Sequence, residues 1–273
     1  MTPKEAAELE KYLENRFMRQ AEPDIIHDDG LIGQWEDWIQ AAVIKGAGEV
    51  LNETICSQRP AKFASPEDIA IEIYPSPAGK VPVIVFGNAS DFECFIVNLI
   101  YKGERPEDIS QMGASFIFGK RQRFLVLSKK YYSNTLPEYV GLSSEEWREK
   151  SMIIRREHEC THYYTKKYYG SASNNLHDEL IADFCGIYEA FGRYEGRLFR
   201  HFMGIDGTHD GRLSLYTRGM SDGVREIIAD IACRCSEVLE EWTKTGTFIR
   251  MDKTSRINFL CETNIKDLAD MKL

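Results

Sequence analysis

The stretch "SSEEWREKSMIIRREHECTHYY", residues 143–164, decides how the second half of this chain folds. Ser143 followed by Glu146 is a capping box, so a helix begins near Ser144 and carries the rest of the stretch. Met152, Ile153 and Ile154 make that helix a buried one. His158 and His162, two of six histidines in the chain, are four residues apart on one face. Their rings project the same way, about 6 Å apart along the axis, so both can reach one metal ion. Glu159 lies about 100° round the helix from His158, beside such an ion, where it can take a proton from a metal-bound water. Two histidines in a buried helix need partners in any case.

The next helix offers them. "NNLHDELIADFCGIYEAFGRY", residues 174–194, opens on asparagines suited to an N-cap, with Leu180, Phe184, Ile187 and Phe191 on an apolar stripe. Glu179 and Asp183 are spaced i, i+4 in line with Gly186 and Ala190, small residues that let this helix approach the first. A solvated acidic edge is the plainer reading, but the neighbours of both acids are apolar. Glu179 is the preferred third ligand, with Asp178 and His177 as alternatives. Rise arithmetic adds a condition: if the first helix ran to Tyr169, Asp183 would stand level with His162. The first helix should therefore end soon after Thr165, or Glu179 is not the ligand.

Upstream, residues 3–20 and 31–46 have helical periodicity, with Trp35, Trp38, Ile39 and Val43 on one core stripe. "IAIEIYPSPAGKVPVIVFG" (69–87) reads as two strands around a Pro/Gly turn, and "DFECFIVNLIYKG" (91–103) as a helix closed by Gly103. Residues 114–118 and 124–127 form a second hairpin around a basic turn. Downstream, a helix ends near Gly204, and 221–242 is a helix apolar enough to complete the core or to pair with another chain. No linker or internal repeat separates these parts. The expectation is one α+β domain over 1–273, predominantly helical with a small β-sheet in the middle: N-terminal helices and sheet in 1–142, a helical metal-site half in 143–273.

The chain is long enough to bury a full core, and its net charge of −9 argues against a nucleic-acid partner. The N-terminal residues are charged and amphipathic, so no signal peptide is visible, and no stretch is long and apolar enough to span a membrane. Seven scattered cysteines fit reduced thiols in a cytoplasmic protein, and Cys233-x-Cys235 reads as helix interior. Oligomeric state is left open.

H-E-x-x-H on one helix with E-x-x-x-D on the next resembles the gluzincin metallopeptidases of thermolysin-like type, over residues 144–194. The resemblance implies a zincin-like active-site helix pair in which His158, His162 and Glu179 bind Zn2+, Glu159 is general base and acid, and Asp183 orients His158. Downstream candidates for the oxyanion donor are His201, His209, Arg212 and Tyr216; the resemblance implies a Tyr or His, and Tyr216 is favoured. A strand beside the active helix pairs with extended peptide in gluzincins, and "RFLVLS" (123–128) is best placed by order for that role. A metzincin would need histidine at position 168, which is tyrosine. A di-iron bundle would need a second E-x-x-H. The residues 112–128 and 192–206 are also similar to stretches of uncharacterised bacterial proteins, which implies no activity.

Two functions follow from this reading. One is a zinc-dependent hydrolase acting on a peptide or protein. The other is a non-catalytic protein whose zinc joins two helices, for which Cys160 or His177 would have to supply a fourth ligand.

Overall fold

A computed structural model describes residues 1–20, 29–118, 123–170 and 175–273. In chain order the described elements are α1 (Pro3–Tyr12), α2 (Asp29–Lys45), α3 (Ala47–Glu53), β1 (Ile69–Ser76), β2 (Gly79–Phe86), α4 (Ala89–Leu99), β3 (Ala114–Phe118), β4 (Arg123–Ser128) and α5 (Pro137–Val140). Then come α6 (Ser144–Tyr169), α7 (Leu176–Phe191), α8 (Gly196–Met203), α9 (Leu213–Tyr216), α10 (Asp222–Trp242), α11 (Gly246–Arg250), α12 (Lys253–Glu262) and α13 (Ile265–Ala269). The fold is α+β and predominantly helical, with one small mixed sheet. No helix among the described residues is long and apolar enough to cross a membrane. Of the seven cysteines, Cys56, Cys160, Cys185, Cys235 and Cys261 are buried.

The chain divides into two compact units, Ile25–Glu159 and Met1–Asp24 with Cys160–Leu273. The division falls inside α6, not at 142/143, because the first half of that helix belongs with the sheet. Strand order is β1-β2-β4-β3, with β2 and β4 parallel and the outer pairs antiparallel. The turn between β3 and β4 lies outside the described residues. Strict alternation sends Ile84, Phe86, Phe124 and Val126 to one face, where Trp35, Phe92, Phe95 and Ile96 of α2 and α4 close over them. The opposite face carries Glu72 and Tyr74, and the first half of α6 lies there. Arg156 stacks over Tyr74 at 4.0 Å and pairs with Glu72, and the Tyr74 hydroxyl bonds the buried Glu157 carboxylate. Arg155 donates to the carbonyl oxygens of Ser128 and Lys130 at 2.6 and 3.1 Å, which pins α6 to the end of β4.

Of the two expected N-terminal helices the first is shorter than its periodicity, and the second runs to Lys45, one residue short of its expected end. α1 stops at Tyr12, because Asn15 spends its side chain on the Phe17 N–H and the Cys261 carbonyl, which turns Phe17 edge-on to Tyr169 and His177. Gly46, at φ +88°, breaks the second before α3 restarts it. Val43 is 81% exposed, outside the core stripe that Trp35 begins. Eight residues on, a helix has drifted about 80° from its starting face, so the stripe passes to Ala42 instead.

In the other unit α7 is buried almost all round. Phe184 packs on Tyr194, Trp242 and Phe248, and α10 turns Val224, Ile228, Ala232, Leu239 and Trp242 inward to complete this core. Cys235 is part of that interior, as expected of residues 233–235.

Candidate metal centre

The capping box forms as the sequence implies: Glu146 accepts from the Ser143 N–H and hydroxyl at 3.0 and 2.7 Å. α7 starts on Asn175, whose side chain accepts the Asp178 N–H at 3.1 Å. α6 does not end after Thr165; it runs to Tyr169. Glu179 nevertheless joins the histidines, because Thr165 Oγ1 lies 3.4 Å from Asp178 Oδ1. That contact sets the first turn of α7 level with Thr165, about one turn back along α6, an offset that the rise arithmetic had left out.

One ligand atom each of His158, His162 and Glu179 lies within 4.8 Å of the others. His158 and Glu179 sit deep, 6% and 4% exposed, and His162 is partly exposed. His162 Nε2 is 3.5 Å from Glu179 Oε1. That separation is long for a hydrogen bond, but it is close to the edge of a tetrahedron with metal–ligand bonds of about 2.1 Å. The other ring nitrogen, Nδ1, faces Asp178 Oδ2 at 3.2 Å. Asp178 thus takes the orienting position behind His162. His177 stands apart from the cluster: its Nε2–H donates to the Leu260 carbonyl at 2.9 Å, and burial lowers its pKa to about 4. Neither His177 nor Cys160 belongs to the donor group. Two imidazoles and one carboxylate fit zinc with a coordination position left open.

His158 is set by a residue that sequence reading missed. The Tyr132 hydroxyl lies 2.9 Å from His158 Nδ1, which leaves Nε2 as the nitrogen to offer a metal. Tyr132 is delivered by a turn in which Ser133 and Asn134 both take positive φ, 50° and 54°, a conformation costly for residues with a Cβ. Ser151 of α6 accepts the Tyr132 N–H at 2.9 Å, and the Trp147 indole donates to Thr135 O at 2.7 Å, so α6 itself holds the turn. No periodicity marks such a residue in "KKYYSN". Tyr132→Phe should weaken zinc binding about 10- to 100-fold with folding unchanged, read by competition with a chromophoric chelator. Unaltered affinity would take Tyr132 out of the site.

Beside Glu179 stand two of the four downstream candidates. Arg212 pairs with Glu179 at 3.3 Å and with the fully buried Asp183. Tyr216 hydrogen-bonds Glu179; burial, reinforced by the Glu179 and Asp183 carboxylates, raises its pKa well above the ordinary tyrosine value and keeps the hydroxyl protonated. His201 and His209 lie together in a different cluster. Glu159 follows His158 on α6 and is partly exposed. The expected peptide-pairing role of residues 123–128 is corrected: β4 has β2 on one side and β3 on the other, so neither edge is open. Sequence order could not reveal that the last strand inserts into the sheet.

Asp178, Glu179 and Asp183 bring three carboxylates into the start of α7 and Arg212 one guanidinium, so the group lacks positive charge. Burial alone would lower the pKa of His162, but the Asp178 and Glu179 carboxylates outweigh it and hold it well above 6.5. A pKa raised on folding stabilises the folded metal-free protein fully below about pH 6.5, and that contribution fades as pH rises through the folded value. Zinc requires the neutral ring, so its binding releases a proton and tightens with pH. Melting curves of chelator-treated protein should fall as pH rises above about 6.5, while the added stability from zinc grows. Identical pH slopes with and without zinc would contradict this.

No curated protein and no solved structure matches the chain. A family model does, over residues 53–122 and 120–272, and it spans the sheet, α6 and α7 with both histidines and Glu179. The chain is therefore a member of a family of unknown function, DUF7005.

Proposed function

We propose that this protein is a zinc-dependent hydrolase of peptide bonds, of gluzincin type, working in the cytoplasm. The observation that carries the reading is the convergence of His158, His162 and Glu179 with Glu159 directly after the first ligand. Zinc bound there would act as a Lewis acid on water and on the substrate carbonyl. Glu159, off the ligand face and partly exposed, accepts the proton of the attacking water at its carboxylate and passes it to the leaving nitrogen. Tyr216, kept protonated beside Glu179, donates a hydrogen bond to the developing oxyanion. Arg212 holds Glu179 and Asp183 in place. Seven cysteines scattered through the fold suit a reducing compartment.

A second reading has its own support. Arg212 already neutralises part of the acidic group, and two of the three donors are buried, as in a site where zinc only joins α6 and α7. The donor count favours the enzyme, since a closed structural site uses four protein ligands and the cluster has three. Incubation of the zinc-loaded protein with unstructured peptides separates the two. New peptide N-termini, abolished by chelator and restored by zinc, are expected; zinc-bound protein that cleaves none of them would leave the clamp.

A further inference from the structure

The loop after α8 carries a second convergent donor set. His201 on the last turn of α8, with Asp206 and His209 beyond it, place one ligand atom each within 4.8 Å of the others. The Asp206 carboxylate stands between the rings, Oδ2 2.7 Å from His201 Nδ1 and Oδ1 4.0 Å from His209 Nδ1. Ring centroids are 4.4 Å apart. The Thr208 hydroxyl is 2.8 Å from Asp206 Oδ1, 3.1 Å from His209 Nδ1 and 3.3 Å from His201 Nδ1.

His201 and Asp206 form a hydrogen-bonded pair, and the Thr208 hydroxyl turns His209 Nδ1 toward the same point. The 4.0 Å between that nitrogen and the carboxylate is too long for a hydrogen bond, and a shift of about half an ångström would bring the pair to the tetrahedral edge of two ligands about 2.1 Å from one ion. The loop backbone helps fix this arrangement, together with the Asp206 carboxylate, which accepts the Thr208 N–H at 3.2 Å. Gly204 and Gly207 take φ of +74° and +72°, and a Cβ on Gly211 would lie 2.1 Å from the Gly204 nitrogen. The Arg212 N–H closes the loop on the Phe202 carbonyl at 3.1 Å.

We propose that His201, Asp206 and His209 bind a second divalent ion of the zinc, cobalt or nickel class, which clasps the loop between α8 and α9. Two imidazoles and a carboxylate are the ligand set such ions prefer over calcium or magnesium. Binding does not rest on the peptidase reading. Its consequence does: the loop leads directly into Arg212 and Tyr216, which reach Glu179, so the second ion would position both without touching substrate.

Zinc stoichiometry of the metal-stripped full chain tests this. Wild type should take up two zinc ions per chain, and His209→Ala or Asp206→Asn should take up one. His162→Ala should also take up one, from the other site. His209 is a partly exposed loop residue, so its loss leaves the core intact, and circular dichroism checks folding in each variant. A single zinc lost in His162→Ala but kept in His209→Ala and Asp206→Asn would overturn the loop site and leave the α6 site standing. A single zinc with the opposite pattern would support the loop site and remove the other. No zinc in wild type would overturn both.

Discussion

Glu159→Gln is expected to lower peptide turnover by at least about 100-fold while the variant keeps its zinc and its fold. The register of α6 sets this role. A residue directly after His158 is rotated about 100° from the ligand face, so it does not coordinate, yet its carboxylate can reach the open side of an ion held by His158, His162 and Glu179. Glutamine preserves size and hydrogen bonding and removes the base. Zinc content and a melting curve measured beside the peptide assay separate lost chemistry from lost structure. Full activity in the variant would reassign the base. Loss of zinc would count against both the peptidase and the clamp, since it would make Glu159 part of the metal's own support.

Glu179→Ala should weaken zinc binding by more than about 100-fold, beyond the 10- to 100-fold typical of residues that only support a ligand. Asp178→Ala should fall within that smaller range, because Asp178 faces the far nitrogen of His162. The difference follows from the ring itself: Nε2 looks toward Glu179 and Nδ1 toward Asp178. Arg212 retains Asp183 as a partner when Glu179 is lost, so the variant should fold. Equal zinc content in wild type and Glu179→Ala would remove Glu179 from the ligand set.

What the sequence made legible is what local rules control. The Ser143–Glu146 cap, the Asn175 cap, the hairpin at Ile69–Phe86 and the common face of His158 and His162 depend on neighbours within a turn or two, and each appears where those neighbours put it. Features set by partners far along the chain were not legible. The end of α1 depends on Asn15 meeting Cys261, and the depth at which α7 meets α6 on Thr165 meeting Asp178. β4 reads as a hairpin partner of β3, which it is, but its parallel pairing with β2 requires α4 to cross over, and only that pairing closes its second edge. Tyr132 is the sharpest case. Its place at His158 comes from a strained turn held by Ser151 and Trp147, none of which is a pattern in the letters.

Anomalous diffraction at the zinc edge, from crystals of protein purified without chelator or acid and grown with zinc, tests the central claim most directly. A peak is expected about 2.1 Å from one nitrogen of His158, one nitrogen of His162 and a carboxylate oxygen of Glu179, with Asp178 and Tyr132 bonded to the outer nitrogens of the two rings. A map with no peak within reach of those three residues would contradict it.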